Sequence, residues 1–269
     1  MKFSLIMATV GREKDIPIFL ESLNKQTYKN FELIVVDQNQ DDRVEKLLIP
    51  YYDKFTINHI RSEKGLSRAR NNGLKHATGD MIAFPDDDCI YKEDVLENVR
   101  NLVLDHKADG VTGKHVSSFE LSVPRQLKKL NIYNVWFWSI SFTVFVSKDV
   151  VNAVGDFDPL LGVGSGTKYG SGEETDYLIR ALKKDFQLYH TSDVMVKHPF
   201  PNFSEETLPE KAYNYSVGRR YVLNKHNYNS LFVMINILYP LVKLTTNLHN
   251  KSKKKYLWKQ FLGRLKNAQ

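Results

Sequence analysis

Apolar and polar positions along this chain alternate between two local rhythms. The first ten residues, MKFSLIMATV, form an apolar run of strand length that ends in the small polar loop Thr9-Val10-Gly11-Arg12. After it, Ile16, Phe19, Leu20 and Leu23 recur at helical spacing. A second apolar run, FELIVVD (31–37), ends in Asp37, and a short helical stretch over Val44–Leu48 follows. FTINHI (55–60) reads as a third strand, Gly65–Ala77 as a loop entering a helix, and MIAF (81–84) as a fourth strand that runs into Asp86-Asp87-Asp88. Glu93–His106 is again helical. Strands that alternate with helices predict an α/β domain with a mostly parallel central sheet and helices on both faces, in which ligands bind at the carboxyl ends of the strands. Thr9, Asp37 and Asp86–Asp88 all fall at such ends, on one rim.

Three carboxylates directly after an apolar strand repel one another unless a cation lies between them. Mg²⁺ and Mn²⁺ take oxygen ligands, and in nucleotide enzymes one or two carboxylates hold the metal while substrate phosphates complete its shell. A metal–diphosphate site is therefore the leading reading of this cluster. The structural alternative is an acidic N-terminus for the helix that follows. A second acidic block, Gly170-Ser171-Gly172-Glu173-Glu174-Thr175-Asp176-Tyr177, pairs glycines that admit close backbone approach with carboxylates opening a helix whose Tyr177, Leu178, Ala181 and Leu182 face a core.

The order ATVGR, FELIVVDQNQDD, GLSRARNNGLKHATGD, FPDDDC and GSGEETDYLIRAL resembles an inverting family 2 glycosyltransferase of the GT-A fold, of the bacterial polysaccharide or capsule type, over roughly residues 1–200. The resemblance implies transfer of a hexose from a nucleoside-diphosphate sugar, a UDP-sugar in the first instance, to a glycan or lipid-linked acceptor. The loop Thr9, Val10, Gly11 and Arg12 together with Asp37 would hold the pyrimidine nucleotide. Arg68 matches the family's basic residue, with Arg70 as a second candidate for the base or diphosphate. Asp88 matches the metal ligand of the DXD motif, while Asp86 or Asp87 would face the ribose or the metal's water shell. His198, in VMVKHP, stands where GT-A enzymes often supply a third ligand to Mn²⁺ or Mg²⁺. The family's catalytic base corresponds to Glu174, with Glu173 as the fallback because this chain carries Glu where Asp is usual. Asp176 is either a cap or a residue on the acceptor side. The region Asn131–Val151 contributes to the acceptor side in the family, which makes Trp136 and Trp138 candidates for sugar stacking, although an aromatic core strand over SFTVFV explains the same residues. The Gly-rich segment 162–172 is a candidate lid.

Composition bears on partners and on domain layout. Residues 251–269 hold seven Lys/Arg and no acid, against a net charge of +7 for all 269 residues, so the whole excess sits in the tail. There Leu257, Trp258, Phe261, Leu262 and Leu265 mark one helical stripe flanked by cations, which reads as an anionic-membrane contact. The apolar run Leu231–Leu244 is broken by Asn236 and Pro240 and is too short to span a bilayer. No nucleic-acid recognition motif accompanies the basic tail. The expected layout is a catalytic domain over 1–204, with nucleotide binding in about 1–110 and acceptor binding in about 111–204, then a helical extension over 205–269. KAYNYSVGRRYVLNKH (211–226) resembles the C-terminal part of polysaccharide glycosyltransferases that act on lipid-linked acceptors. A cytoplasmic protein, peripheral at the inner face of the plasma membrane, is expected from that resemblance, from the lone Cys89 and from an N-terminus that begins as a strand.

An oxidoreductase is disfavoured because no GxGxxG follows the first strand, and a sugar-nucleotide pyrophosphorylase because ATVGREKD has a single glycine. A catalytically silent nucleotide-sugar or glycan-binding module of the same fold is the alternative that remains. Both acidic blocks being intact argues against it.

Overall fold

The computed structural model describes residues 1–120, 123–199, 206–247 and 249–266. It divides into two compact units, the first comprising 1–64, 68–157 and 177–199 and the second 65–67, 158–176 and 200–269. The segment carrying the second acidic block thus groups with the C-terminal helices, not with the sheet, which differs from a single break at 204.

The first unit is built on strands β1 (Phe3–Thr9), β2 (Phe31–Asp37), β3 (Thr56–Arg61), β4 (Met81–Ala83), β5 (Ile90–Tyr91), β6 (Gly110–Val116), β7 (Leu127–Lys129), β8 (Val144–Ser147) and β9 (Leu188–Lys197). They form one sheet in the order β3-β2-β1-β4-β8-β6-β9-β5, with β7 on β9. The β3-β2-β1-β4 half is parallel, as the sequence pattern predicts. Beyond it β8 runs antiparallel between β4 and β6, so the sheet is mixed. SFTVFV is a strand only from Val144, because Ser141–Thr143 form a 3-10 turn.

Strands β1 and β2 are apolar on both faces because helices cover both. Phe3, Leu5 and Met7 join Leu33 and Val35 and the residues Ile16, Phe19, Leu20 and Leu23 of helix α1 (Ile16–Asn24) in one core cluster. The alternate residues Ile6 and Val36 face helix α3 (Leu66–Leu74), where a Cβ on Gly73 would collide with Ile6. The missing side chain lets α3 lie close on the sheet. The same parallel pairing aligns Thr9 with Asp37 and Asp37 with Arg61, one row across three strand ends. Register therefore delivers the rim.

Helix α2 (Arg43–Leu48) and helix α4 (Val95–His106) form where apolar spacing predicts them, and the short α5 (Val135–Trp138) and α6 (Lys148–Val154) flank β8. Helix α7 (Glu173–Leu182) begins in the second unit, which also holds α8 (Leu208–Lys225), α9 (Ser230–Thr245) and α10 (Lys251–Leu265). Pro240 does not break α9, which runs unbroken past it. Helix α10 packs against α8 and α9. At Gly263 it lies close on α8, where a Cβ would press on the Tyr213 carbonyl. That packing turns Leu257 and Arg264 inward while Trp258 and Leu265 stay exposed, so the apolar stripe of the tail is divided between the interior and the surface. The last three residues of the tail lie outside those described.

Candidate functional site

After β4, Phe84 is buried edge-on against Phe157 and packs on Tyr177. This aromatic anchor fixes the start of the acidic loop, and a single bridge between Ala8 and Asp86 ties it to β1. The three aspartates then take different surroundings. Asp86 accepts from Arg70 Nη2 at 3.3 Å. Asp87 accepts from the Thr9 hydroxyl at 2.6 Å and from Arg12 Nε at 3.1 Å. Asp88 lies 2.8 Å from Arg12 Nη1 and 3.0 Å from His198 Nε2.

Burial, the largest influence on Asp87, lifts its carboxyl to about 6, with the charges of Asp88 and Asp86 adding and Thr9 and Arg12 opposing. For Asp88 burial is also the largest influence and also pushes upward. The hydrogen bond and charge of His198, together with Arg12, outweigh it and hold the carboxyl below its ordinary value. Asp88 is thus kept more firmly anionic than Asp87, as a metal ligand must be.

The ligand atoms of Asp86, Asp88 and His198 lie within 4.8 Å of one another. Two carboxylates and one imidazole form a donor set of the kind Mn²⁺ accepts, with positions left for phosphate oxygens and water. The imidazole is oriented by its surroundings. It stacks on Phe142 at 4.5 Å, and its Nδ1 donates to the Pro199 carbonyl at 2.8 Å. That bond leaves Nε2 as the nitrogen presented to the carboxylates, which is how a ligating histidine is held.

Asp37 is wholly buried, and its carboxylate is engaged by groups the sequence reading did not name. Oδ1 accepts from the Asn39 backbone at 2.9 Å and from its side chain at 2.8 Å, and Oδ2 lies 3.1 Å from His59 Nε2 and 2.9 Å from Arg61 Nη1. Asn39 also accepts from the Gly11 amide at 2.8 Å. Asp37 therefore organises the rim, tying the loop after β2 to β3 and, through Asn39, to the loop after β1. The rule that marked Thr9 and Asp37, a polar residue where an apolar strand ends, applies equally to Arg61 at the end of β3.

Of the two arginines in the third block, Arg68 is exposed and donates to the Lys64 carbonyl at 2.9 Å. Arg70 is 1% exposed, lies over the rings of Phe84 and Phe157, and reaches Asp86. Arg70 is the one that meets the acids. Trp136 is buried, and Trp138 stacks on His190 at 4.2 Å. Trp136 thus belongs to the interior of the first unit, while Trp138 is half-buried.

In the second unit the segment before α7 is laid directly on α8. Gly170 donates to the Asn214 carbonyl at 3.2 Å, and the Ser171 hydroxyl donates to that of Tyr215 at 2.9 Å. A Cβ on Gly218 would collide with the Ser171 carbonyl. Glu173 is buried beneath Gly162, whose φ of +93° suits glycine and whose added Cβ would stand 3.3 Å from the carboxylate. Glu174 is half-buried and is the more accessible of the pair. Burial lowers the Arg219 guanidinium to about 9, with Arg264 adding and the negative charge of Glu174 opposing. Asp176 is wholly buried and accepts from Lys225 at 2.9 Å and His226 at 2.8 Å. Its side chain ties the start of α7 to α8.

The profile described as Glycosyl transferase family 2 matches residues 4–155, more than half of the chain. Minor teichoic acid biosynthesis protein GgaB of Bacillus subtilis (strain 168) is 34% identical over 142 residues, which cover 46% of this chain and 16% of that one. UDP-Glc:alpha-D-GlcNAc-diphosphoundecaprenol beta-1,3-glucosyltransferase WfgD of Escherichia coli is 30% identical over 143 residues, 48% of this chain and 56% of that one. The matches thus span less than two thirds of these curated relatives. Among solved structures, S. aureus TarS 1-349 in complex with UDP aligns with a TM-score of 0.63 at 20% identity, covering 97% of this chain and 90% of that one. Mannosyltransferase PcManGT from Pyrobaculum calidifontis, in complex with GDP-Man and Mn²⁺, aligns with a TM-score of 0.73 at 13% identity, covering 99% and 86%. These two likenesses establish the fold.

Proposed function

Since the chain belongs to glycosyl transferase family 2, we propose that it moves a hexose from a nucleoside-diphosphate sugar, with a UDP-sugar as the donor class, to a glycan or lipid-linked saccharide in cell-surface polysaccharide synthesis. The observation that carries the reading is the convergence of Asp86, Asp88 and His198 within 4.8 Å beside the strand-end row of Thr9, Asp37 and Arg61. Relatives that act in teichoic acid and diphosphoundecaprenol-linked glycan synthesis support the acceptor class, and TarS in complex with UDP supports the donor class.

In the proposed single displacement, Glu174 takes the proton from the attacking acceptor hydroxyl on the face opposite the leaving group, so that the anomeric centre inverts. Its greater exposure supports it over Glu173. Asp86, Asp88 and His198 would hold the divalent ion, which when bound supplies Lewis-acid stabilisation of the departing diphosphate. Arg12 and Arg70 contribute fixed positive charge at the acidic loop, where the diphosphate would also lie. Thr9 and the loop Val10-Gly11 line the nucleotide side, and Asp37 holds the loops that shape it. Arg68, Trp138 and the Gly-rich segment remain candidates for contact with phosphate, acceptor and bound donor respectively. The exposed cations of α10 support the expected contact with an anionic membrane at the cytoplasmic face.

The test is a panel of nucleotide sugars with Mn²⁺ or Mg²⁺, reading thermal stabilisation and slow release of nucleoside diphosphate, with Asp88→Asn as control. Metal-dependent stabilisation and release with one donor, absent in the control, is the expected result. Folded protein that answers to no donor in the presence of a saccharide acceptor and membrane would favour a binding module.

A further inference from the structure

Helix α9 is turned the opposite way from an ordinary surface helix. Its buried positions are Asn236 and Pro240, while Leu231, Met234, Ile235, Leu238 and Val242 are each at least 44% exposed. Those five lie three, one, three and four residues apart, which places them on a single helical stripe. The inversion has a polar cause. Asn236 Oδ1 accepts from Arg219 at 3.0 and 2.8 Å, and its backbone carbonyl accepts from Arg264 at 2.7 Å. The buried Arg264 and the half-buried Arg219 require acceptors, and α9 supplies them by turning its polar face inward. Its apolar face is then presented outward as one continuous strip.

The C-terminal helices carry a large excess of positive charge in their own sequence. From Lys211 to Gln269 the chain contains twelve Lys/Arg and no Asp or Glu. By helical spacing, one face of α10 carries Lys251, Lys254, Lys255, Trp258, Leu262 and Leu265, and Trp258 and Leu265 are each 49% exposed. Of the twelve cations, Lys225 and Lys259 are ion-paired with acids from earlier in the chain. An exposed apolar strip in a segment this rich in lysine still matches a bilayer surface with anionic headgroups, with lysine stems lying along the apolar region and their ammonium groups at the phosphates. A second copy of the chain would bring the same cationic surface against itself. No helix of the described residues is long and apolar enough to cross a membrane, so α9 would lie in the interface plane.

We propose that the outward stripe Leu231, Met234, Ile235, Leu238 and Val242 of α9, with the lysines of α10, docks the protein on an anionic membrane. This deepens the lipid-linked-acceptor reading by naming the surface that brings the enzyme to its acceptor, and it moves the main apolar contact from the tail helix to α9.

The test is flotation of the full chain, without donor or metal, on vesicles of phosphatidylcholine alone or with added phosphatidylglycerol. Expected is binding to the anionic vesicles that weakens with salt. A combined Leu231→Gln, Met234→Gln, Leu238→Gln variant should lose at least about tenfold in partition, and Lys254→Gln with Lys255→Gln should lose the preference for anionic lipid. The three apolar positions are exposed, so an unchanged melting temperature checks the fold. Wild-type protein that stays with the aqueous fraction, a triple variant that floats as well as the parent, or a parental dimer that the triple variant dissociates would each overturn the proposal. Flotation needs no turnover, so a failed transferase assay leaves its outcome unaffected.

Discussion

His198 Nε2 stands 3.0 Å from Asp88 Oδ1, and the same nitrogen is 4.0 Å from Asp86 Oδ2. Two residues of the acidic loop and one at the end of β9 are thereby brought to a single point, with Phe142 beneath the ring and Pro199 fixing its other nitrogen. If this is a metal centre, His198→Ala and Asp88→Asn should each weaken Mn²⁺-dependent thermal stabilisation in the presence of nucleoside diphosphate. The expected loss in apparent metal affinity is at least about tenfold. Titrating Mn²⁺ against melting temperature measures it, and unchanged midpoints in both variants would remove the metal from the proposal.

Glu173 and Glu174 differ in accessibility, and this separates their predicted phenotypes. Glu174→Gln should retain nucleotide-sugar binding and lose transfer by roughly 10²- to 10⁴-fold. Glu173→Gln changes a carboxylate packed beneath Gly162 and should act mainly on stability. Comparing donor affinity with single-turnover transfer in the two variants decides between them, and parental turnover in Glu174→Gln would eliminate it as the base.

Gly218 admits the Ser171 backbone to the surface of α8, and through it α8 supports the start of α7. Gly218→Ala places a methyl group against the Ser171 carbonyl and should destabilise the protein by about 1–3 kcal/mol. Transfer should fall more than donor binding, because the segment displaced leads into Glu174. Urea melts together with the turnover assay test both parts.

His190 supplies a pH prediction away from the acidic loop. Burial is the largest cause that lowers its imidazole to about 4, and Lys114 and Lys128 add to it. Its Nε2 has no hydrogen-bond partner among the described residues, while Nδ1 lies 3.2 Å from the Thr112 hydroxyl. The folded pKa is depressed, so below the ordinary histidine value the unfolded chain binds a proton that the folded chain does not. Stability should therefore fall as pH drops from about 6.5 toward about 4, at a slope of up to about 1 kcal/mol per pH unit. His190→Phe, which keeps a ring against Trp138, should flatten that limb in urea melts taken across the interval. An identical acid limb in the variant would contradict the assignment.

The alternation of strand and helix, the helical positions of Ile16, Phe19, Leu20 and Leu23, and the placing of Thr9, Asp37 and the aspartates at strand ends were all legible in sequence. Each depends on a period of two or 3.6 residues, or on where an apolar run stops. The antiparallel β8 was not legible, because a four-residue buried strand has the same pattern in either direction. The apolar run around Pro240 looked interrupted, yet α9 continues through it, since only the local backbone bond is lost and packing retains the rest. Among the site residues, Arg68 and Arg70 are indistinguishable as letters two positions apart. On a helix they point to different sides, one to solvent and the other over Phe84 and Phe157 toward Asp86.

What the sequence by itself determined was the set of elements, the two acidic blocks and their likeness to one family. These are properties of neighbouring residues, and the hydrophobic effect enforces them locally. Only the tertiary structure decided which groups meet. Strand order brought His198 to Asp88, register aligned Arg61 with Asp37 and Thr9, and the contact of Ser171 with Gly218 set the segment that carries Glu174. The same level decided that α9 buries Asn236 and exposes Leu231 and Leu238. The buried Arg264 and the half-buried Arg219 needed an oxygen acceptor, and an unpaired buried charge costs more than apolar surface left in water.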